Sequence, residues 1–175
     1  MVLTASAGQS DLVLELLRSA SSGRRGAGNV WGSEFPDVLR DLPEGLVYLA
    51  WADDRAVGAF VLRWSDELLW GPDDGQGGYL HRLATHPDVA GQGIGRRLVD
   101  TAGELTARQG RRWLRLDCDR GNQPLRAYYE AQGFRHVRDV GGLARQTRPG
   151  HRAGSLYQRP AHWGASGGAS TPRES

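Results

Sequence analysis

The stretch "HPDVAGQGIGRRL", residues 86–98, places glycine at 91, 93 and 95 and runs directly into a helical pattern. Before it, "YLHRLAT" (79–85) reads as a strand. After it, Ile94, Leu98, Ala102 and Leu105 recur at helical spacing, which predicts an amphipathic helix ending near Gly110. "RRWLRLDC" (111–118) then alternates, with Leu114, Leu116 and Cys118 on one face. Strand, loop, helix, strand requires the two strands to run parallel in one sheet. The loop joining strand to helix presents unpaired backbone N–H groups, and glycine lets them approach an anion without an intervening Cβ. Three cofactor classes use such a loop. A P-loop needs Gly-Lys-Ser/Thr, but Gly95 is followed by Arg96 and Arg97. A dinucleotide fingerprint needs a third glycine where Leu98 stands, and this loop lies far along the chain for a first βα turn. The remaining class is a pyrophosphate cradle for coenzyme A.

Elsewhere the pattern predicts two early helices. Ser10 can cap "DLVLELLRSA", with Leu12, Leu16 and Leu17 on one face, and Asp37 to Leu42 form a second helix stopped by Pro43. Between them "SSGRRGAGN" (21–29) reads as a mobile loop. "LVYLAWA" (46–52) and "AVGAFVLRW" (56–64), separated by "DDR", are a hairpin. A loop rich in Gly, Pro and Asp spans 71–78. "NQPLRAYYEAQGF" carries its own helix punctuation: Asn122 as N-cap, Pro124 in the first turn, Gly133 after the end. "FRHVRDV" (134–140) and "SLYQRP" (155–160) are the last strands. Residues 164–175 are small and polar, an expected flexible tail after a domain at 1–163. The fold class is therefore α/β: a mixed central sheet of about six to seven strands, antiparallel first and parallel in the middle.

Composition narrows the function. With 175 residues the chain suits one domain with a real core, and a net charge of +2 argues for no nucleic-acid partner. All 22 basic residues are arginine and none is lysine, which reads as a coding bias and solvated basic faces before it reads as phosphate recognition. The single cysteine, Cys118, excludes an internal disulfide framework, and no metal is expected. No apolar run approaches membrane-spanning length and no leader is recognisable, so no membrane partner and a cytoplasmic location are expected.

Two motifs together carry a resemblance. "LATHPDVAGQGIGRRL" matches a strand end, a turn with Pro, then Q/R-x-x-G-x-G/A opening a helix. "NQPLRAYYEAQGF" matches Asn, a Tyr seven residues on, and Gly-Phe. In this order and spacing, residues 79–134 resemble the core of the GNAT superfamily of acyl-CoA-dependent N-acyltransferases, of the small-molecule bacterial type. One position departs: the first residue of the signature, usually Arg or Gln, is Ala90, and Arg96 or Arg97 could substitute for it.

The resemblance implies a GNAT fold with about four flanking helices and a central parallel pair that splays apart. It implies acetyl-CoA as co-substrate, bound by Leu83, Ala84 and Thr85 along the strand end, by Gly91, Gln92, Gly93, Ile94, Gly95 and Arg96 in the cradle, and by Asn122. A main-chain N–H near Leu83 or Ala84 would polarise the thioester carbonyl. An amine with a pKa of about 10 must lose a proton before it attacks, and the departing thiolate gains from an acid. Tyr129 occupies the family's acid position, four before Gly133. His81 is the candidate base, on the same strand face as Tyr79 and Leu83 by simple alternation, with Glu34 and Asp117 as further carboxylates for a cationic amine. His86 and His136 read as structural. Trp31, Glu34 and Phe35 suggest an aromatic, mildly acidic acceptor wall. The implied reaction is acetyl transfer to a small-molecule amine by a monomer or homodimer. A protein or peptide amine as acceptor, and a CoA-binding sensor without catalysis, are the competing readings.

Overall fold

In the computed structural model, residues 1–22, 36–141 and 154–162 are described. The expected mobile loop from residue 23 onward, the wall residues Trp31, Glu34 and Phe35, and the tail at 164–175 all lie outside the described residues.

The chain runs β1 (Val2–Thr4), α1 (Ser10–Ser22), α2 (Pro36–Asp41), β2 (Val47–Ala52), β3 (Arg55–Arg63), α3 (Glu67–Trp70), β4 (Gly77–Thr85), α4 (Ile94–Arg108), β5 (Trp113–Asp119), α5 (Gln123–Glu130), β6 (Arg135–Val140) and β7 (Gly154–Pro160). One seven-stranded sheet takes the order β1-β2-β3-β4-β5-β7-β6. Among the described residues only β4 and β5 pair in parallel; every other ladder is antiparallel. The mixed α/β sheet expected from the sequence is thus present. Two short elements go beyond it. The three residues of β1 and the four of α3 are too few to show a hydrophobic period.

The alternating and helical patterns divide the core between the two sheet faces. Val13, Leu16 and Leu17 of α1 and Val38 of α2 pack with Leu49, Ala59 and Val61 on one face. Leu98, Val99 and Ala102 of α4 pack with Phe60, Leu62, Leu80, Leu114, Leu116 and Cys118 on the other, joined by Tyr129 of α5. Each fully buried leucine in these layers stabilises the fold by about 2–3 kcal/mol. Asn122 caps α5 as its sequence suggests: its Oδ1 accepts from the Leu125 amide at 3.1 Å.

β7, last in sequence, enters between β5 and β6. Arg159 on β7 is 1% exposed, donates to the carbonyls of Gln132 and Val99 at 3.0 and 3.1 Å, and bonds the Asp100 carboxylate at 3.0 Å. Burial pulls its guanidinium pKa down, and the Asp100 contact opposes that. These bonds tie β7 to α4 and to the end of α5, fixing the central strands from the β7 side.

Candidate active site

β4 and β5 separate partway along their length. Their parallel register runs from Gly77↔Trp113 to Leu80↔Leu116 and stops there. Both strands continue, each held from its outer side: β4 pairs with β3 as far as Gly58↔Thr85, and β5 with β7 as far as Asp119↔Gly154. Beyond Leu80 and Leu116 the two strands therefore part, with no further register pair between β4 and β5 among the described residues. The expected splayed pair is present.

The split begins at a bulge. Val61 faces His81 and Ala59 faces Ala84, so β4 carries one residue more than β3 between these pairs. Arg82 lies within it at φ 52°, a left-handed conformation costing an L-residue about 1–2 kcal/mol. The bulge overturns one reading from alternation. His81 does not share a face with Leu83: Leu83 packs in the α4 layer with Leu80, while His81 faces the other side. A period of two fails wherever an extra residue enters the strand. Arg82 also turns away from the α4 layer, and its Nε and Nη2 each donate to the Asp37 carboxylate of α2 at 3.1 Å. Arg63 of β3 bonds Asp41 and lies 3.7 Å from Asp37, so two arginines anchor the short α2.

Beyond the strand end, His86 caps a 3-10 turn, Pro87–Val89, and contacts Arg55 and Asp88. It is structural, as is His136, which bonds Asp139 at 2.8 Å on edge strand β6. Gly91 and Gly93 then take φ 77° and 75°, which only glycine adopts freely. A Cβ at either would meet nothing within 4 Å, so their requirement is conformational and the space before them is open. The first turn of α4 begins with Arg97 donating to Gly93 O at 3.1 Å. No backbone carbonyl among the described residues accepts from the amides of Gly91, Gly93, Ile94, Gly95 or Arg96. This is a cradle of donors at a helix N-terminus, where the helix dipole also favours negative charge.

Gly95 has a different reason. A Cβ there would lie 2.7 Å from the Tyr128 hydroxyl. The third glycine admits an aromatic side chain of α5 to the start of α4. Ala90 and Arg96 are exposed, and Arg96 lies 4.0 Å from Asp100. Arg97 lines a cleft with Met1 to Thr4, Tyr48 and Arg108.

Tyr129, the candidate acid, is 7% exposed and contacts Tyr128 and Phe134 edge-on at 5.3 and 5.6 Å. Tyr128 is more exposed, and desolvation raises its hydroxyl pKa. Cys118 points into the same layer. Burial, helped by Asp117, pushes its thiol up to about 12.

On the opposite face the apolar packing of α1 and α2 gives way to charge. His81 is 8% exposed and lies between two carboxylates, with Nε2 3.4 Å from Asp66 and Nδ1 3.7 Å from Asp117. Three separate segments supply this group: the entrance to α3, β4 and β5. Asp66 precedes α3 and its carbonyl accepts from Leu69 and Trp70, while its carboxylate makes no cap and is directed to His81. His81 and Asp117 are among the site residues the sequence suggests, whereas Asp66 and Arg82 are not and Asp37 is expected only as the start of the second helix. No local signal marks those three, since each acquires its partner only through folding. Polar atoms of Asp66, His81 and Asp117 lie within 4.8 Å of one another. Such a group can orient an imidazole, stabilise its protonated form or bind a small cation. Nearby, Arg115 bonds Asp74 and Tyr79, holding the 71–76 loop across the ends of β4 and β5.

The Acetyltransferase (GNAT) family model matches residues 12–134. The uncharacterized N-acetyltransferase YesJ of Bacillus subtilis (strain 168) is 30% identical over 131 residues, covering 68% of this chain and 72% of that protein. N-acetylglutamate synthase from Neisseria gonorrhoeae, solved with coenzyme A and N-acetyl-glutamate, superposes with a TM-score of 0.69 at 16% identity. That match takes in 93% of this chain but only 35% of the synthase. A GNAT-family acetyltransferase from Listeria monocytogenes 4b F2365 gives a TM-score of 0.68 at 22% identity, over 91% of this chain and 94% of that one.

Proposed function

This chain belongs to the GNAT family of acetyltransferases, and on that premise we propose that it transfers an acetyl group from acetyl-CoA to the primary amine of a small molecule. The observation that carries the reading is the junction of two features: β4–β5 pairing ends after Leu80↔Leu116, and the unpaired amides of the glycine loop open at the end of the same strand.

The amides of Gly91, Gly93, Ile94, Gly95 and Arg96, with Gln92 between them, hold the pyrophosphate. The edge of β4 at Leu83, Ala84 and Thr85 holds the pantetheine arm, and Asn122 reaches it from the start of α5. A main-chain N–H at Leu83 or Ala84 stabilises the oxyanion as the amine attacks. His81 takes the proton that the ammonium must lose, directly or through a water. Asp66 and Asp117 orient its ring and stabilise the imidazolium that forms. Tyr129 protonates the departing thiolate. Attack is direct: a Cys118 thiol raised to about 12 provides almost no thiolate for an acyl-enzyme. The negative charge around His81 suits an acceptor that arrives as a cation. The Neisseria relative's complex with coenzyme A and N-acetyl-glutamate agrees with a CoA site and a small acceptor.

The test is thiol release on mixing the protein, acetyl-CoA and a panel of small amines and peptides. Release with small cationic amines is the expected result. Release only with peptides would move the acceptor to a protein. Tight CoA binding without release from any amine would leave a sensor in place of an enzyme.

A further inference from the structure

We infer that Arg82 and Asp37 form a positioning clamp that holds the β4 bulge open, and that the reactive geometry at Leu83 and Ala84 depends on it; this rests on the acetyl-transfer reading above. Arg82 is the described non-glycine residue of the sheet that is held at positive φ inside a strand. Its guanidinium is fixed to both oxygens of the Asp37 carboxylate. The side-chain directions around it are those of a bulge. His81 and Arg82, consecutive in sequence, both face the α1–α2 side, toward Asp66 and Asp37, whereas Leu83 enters the α4 layer and Ala84 returns to the α1–α2 layer.

A straight strand would send Arg82 into the apolar α4 layer and turn Leu83 out of it. Two forces oppose that slip: the cost of burying an unpaired guanidinium, and the attachment to Asp37. The clamp has a chemical consequence because the bulge is where β4 leaves β5. Register pairing with β5 stops at Leu80, one residue before His81 and two before Arg82. A straightened β4 could continue pairing along β5, which would consume the inner-edge N–H groups that face the reacting carbonyl. It would also turn the strand end that carries the glycine loop. Arg82 and Asp37 need touch neither substrate to control the rate. They act through the backbone between them and the reacting atoms.

The experiment uses the full chain and two readouts. Steady-state thiol release gives kcat and KM. NMR coupling and carbon shifts at residue 82 report the sign of its φ. Asp37→Ala is expected to lower kcat by about five- to ten-fold with the KM for acetyl-CoA within about two-fold, because the cradle is built elsewhere. Adding Arg82→Gly to that variant should recover kcat to within about three-fold of the native value, since glycine takes positive φ without a clamp. Arg82→Leu, which suits the α4 layer, should lose the positive-φ signature and at least about ten-fold in kcat. A native kcat in Asp37→Ala, or a loss that glycine at 82 does not relieve, would overturn the clamp. If Asp37→Ala does not fold, the order Gly above Leu at position 82 decides in its place, and equal activities overturn the proposal. If the native protein acetylates no amine, the activity reading fails, while the clamp still stands or falls on the φ signature of Arg82→Leu.

Discussion

The glycine loop and the Asp66–His81–Asp117 group lie at the same parting of β4 from β5, yet they are built from different materials. The loop is made of backbone. Its donors are main-chain amides, its geometry comes from positive φ at Gly91 and Gly93, and side chains contribute little. Gly91 and Gly93 take these conformations with Ala90 at a position usually held by Arg or Gln. The opposite group is made of side chains from three segments, with His81 8% exposed and carboxylates on two sides. Anion binding needs many weak, fixed dipoles, and consecutive backbone supplies them. Proton transfer needs one titratable ring in one orientation, and only packing supplies that.

The largest effect should come from attacking the backbone site in its own terms. Gly93→Val places a branched residue at φ 75° and a side chain in the open space of the cradle. CoA affinity measured by calorimetry should fall by about a hundred-fold or more. Binding within a few-fold of native would show that the pyrophosphate lies elsewhere.

His81→Gln attacks the side-chain site. Turnover should drop by about a hundred-fold at neutral pH while acetyl-CoA binding holds, in line with the loss of a general base. The sign of the pH dependence is also set. As pH rises toward the amine's own pKa of about 10, more acceptor is already deprotonated, so the deficit should shrink. A deficit constant with pH would make His81 a packing residue and dissolve the contrast between the two sites.

Tyr129→Phe should lower turnover by about ten-fold or more, with CoA affinity unchanged, because it removes the proposed proton donor but keeps the ring packed on Phe134. Unchanged turnover would take the acid role from Tyr129 and shift attention to the more exposed Tyr128.

The smallest effect separates the three glycines from one another. Gly95→Ala brings a methyl within 2.7 Å of the Tyr128 hydroxyl, so CoA binding should weaken by only about a few-fold as α5 shifts. Tyr128→Phe removes that oxygen and leaves the ring carbon at 3.7 Å, an ordinary contact, so the double variant should bind as well as Tyr128→Phe alone. Failure of the second change to compensate would mean that position 95 is kept glycine by the approach of the ligand and not by Tyr128.

Much of the fold was legible because its signals are local. The helical period at Ile94, Leu98 and Ala102, the alternation of Leu114, Leu116 and Cys118, and the cap at Asn122 each concern residues a few positions apart. The glycine loop was legible for the same reason. Reading failed where the period was interrupted. At Arg82 an extra residue reverses the faces beyond it, and no residue type marks the place: arginine is a poor choice for positive φ and is held there by a partner 45 positions away.

The sequence alone determined the strand–loop–helix junction, the parallel β4–β5 unit, the donor-rich cradle and, through the joint spacing of its two motifs, the family. Those depend on backbone conformations and short-range periodicities that a few neighbouring residues dictate. Only the tertiary structure decided that β7 separates β5 from β6, that Asp66 joins His81 and Asp117, and that Asp37 holds the bulge. Strand order and register are settled by the packing of the whole core, and the meeting of side chains distant in sequence follows from register.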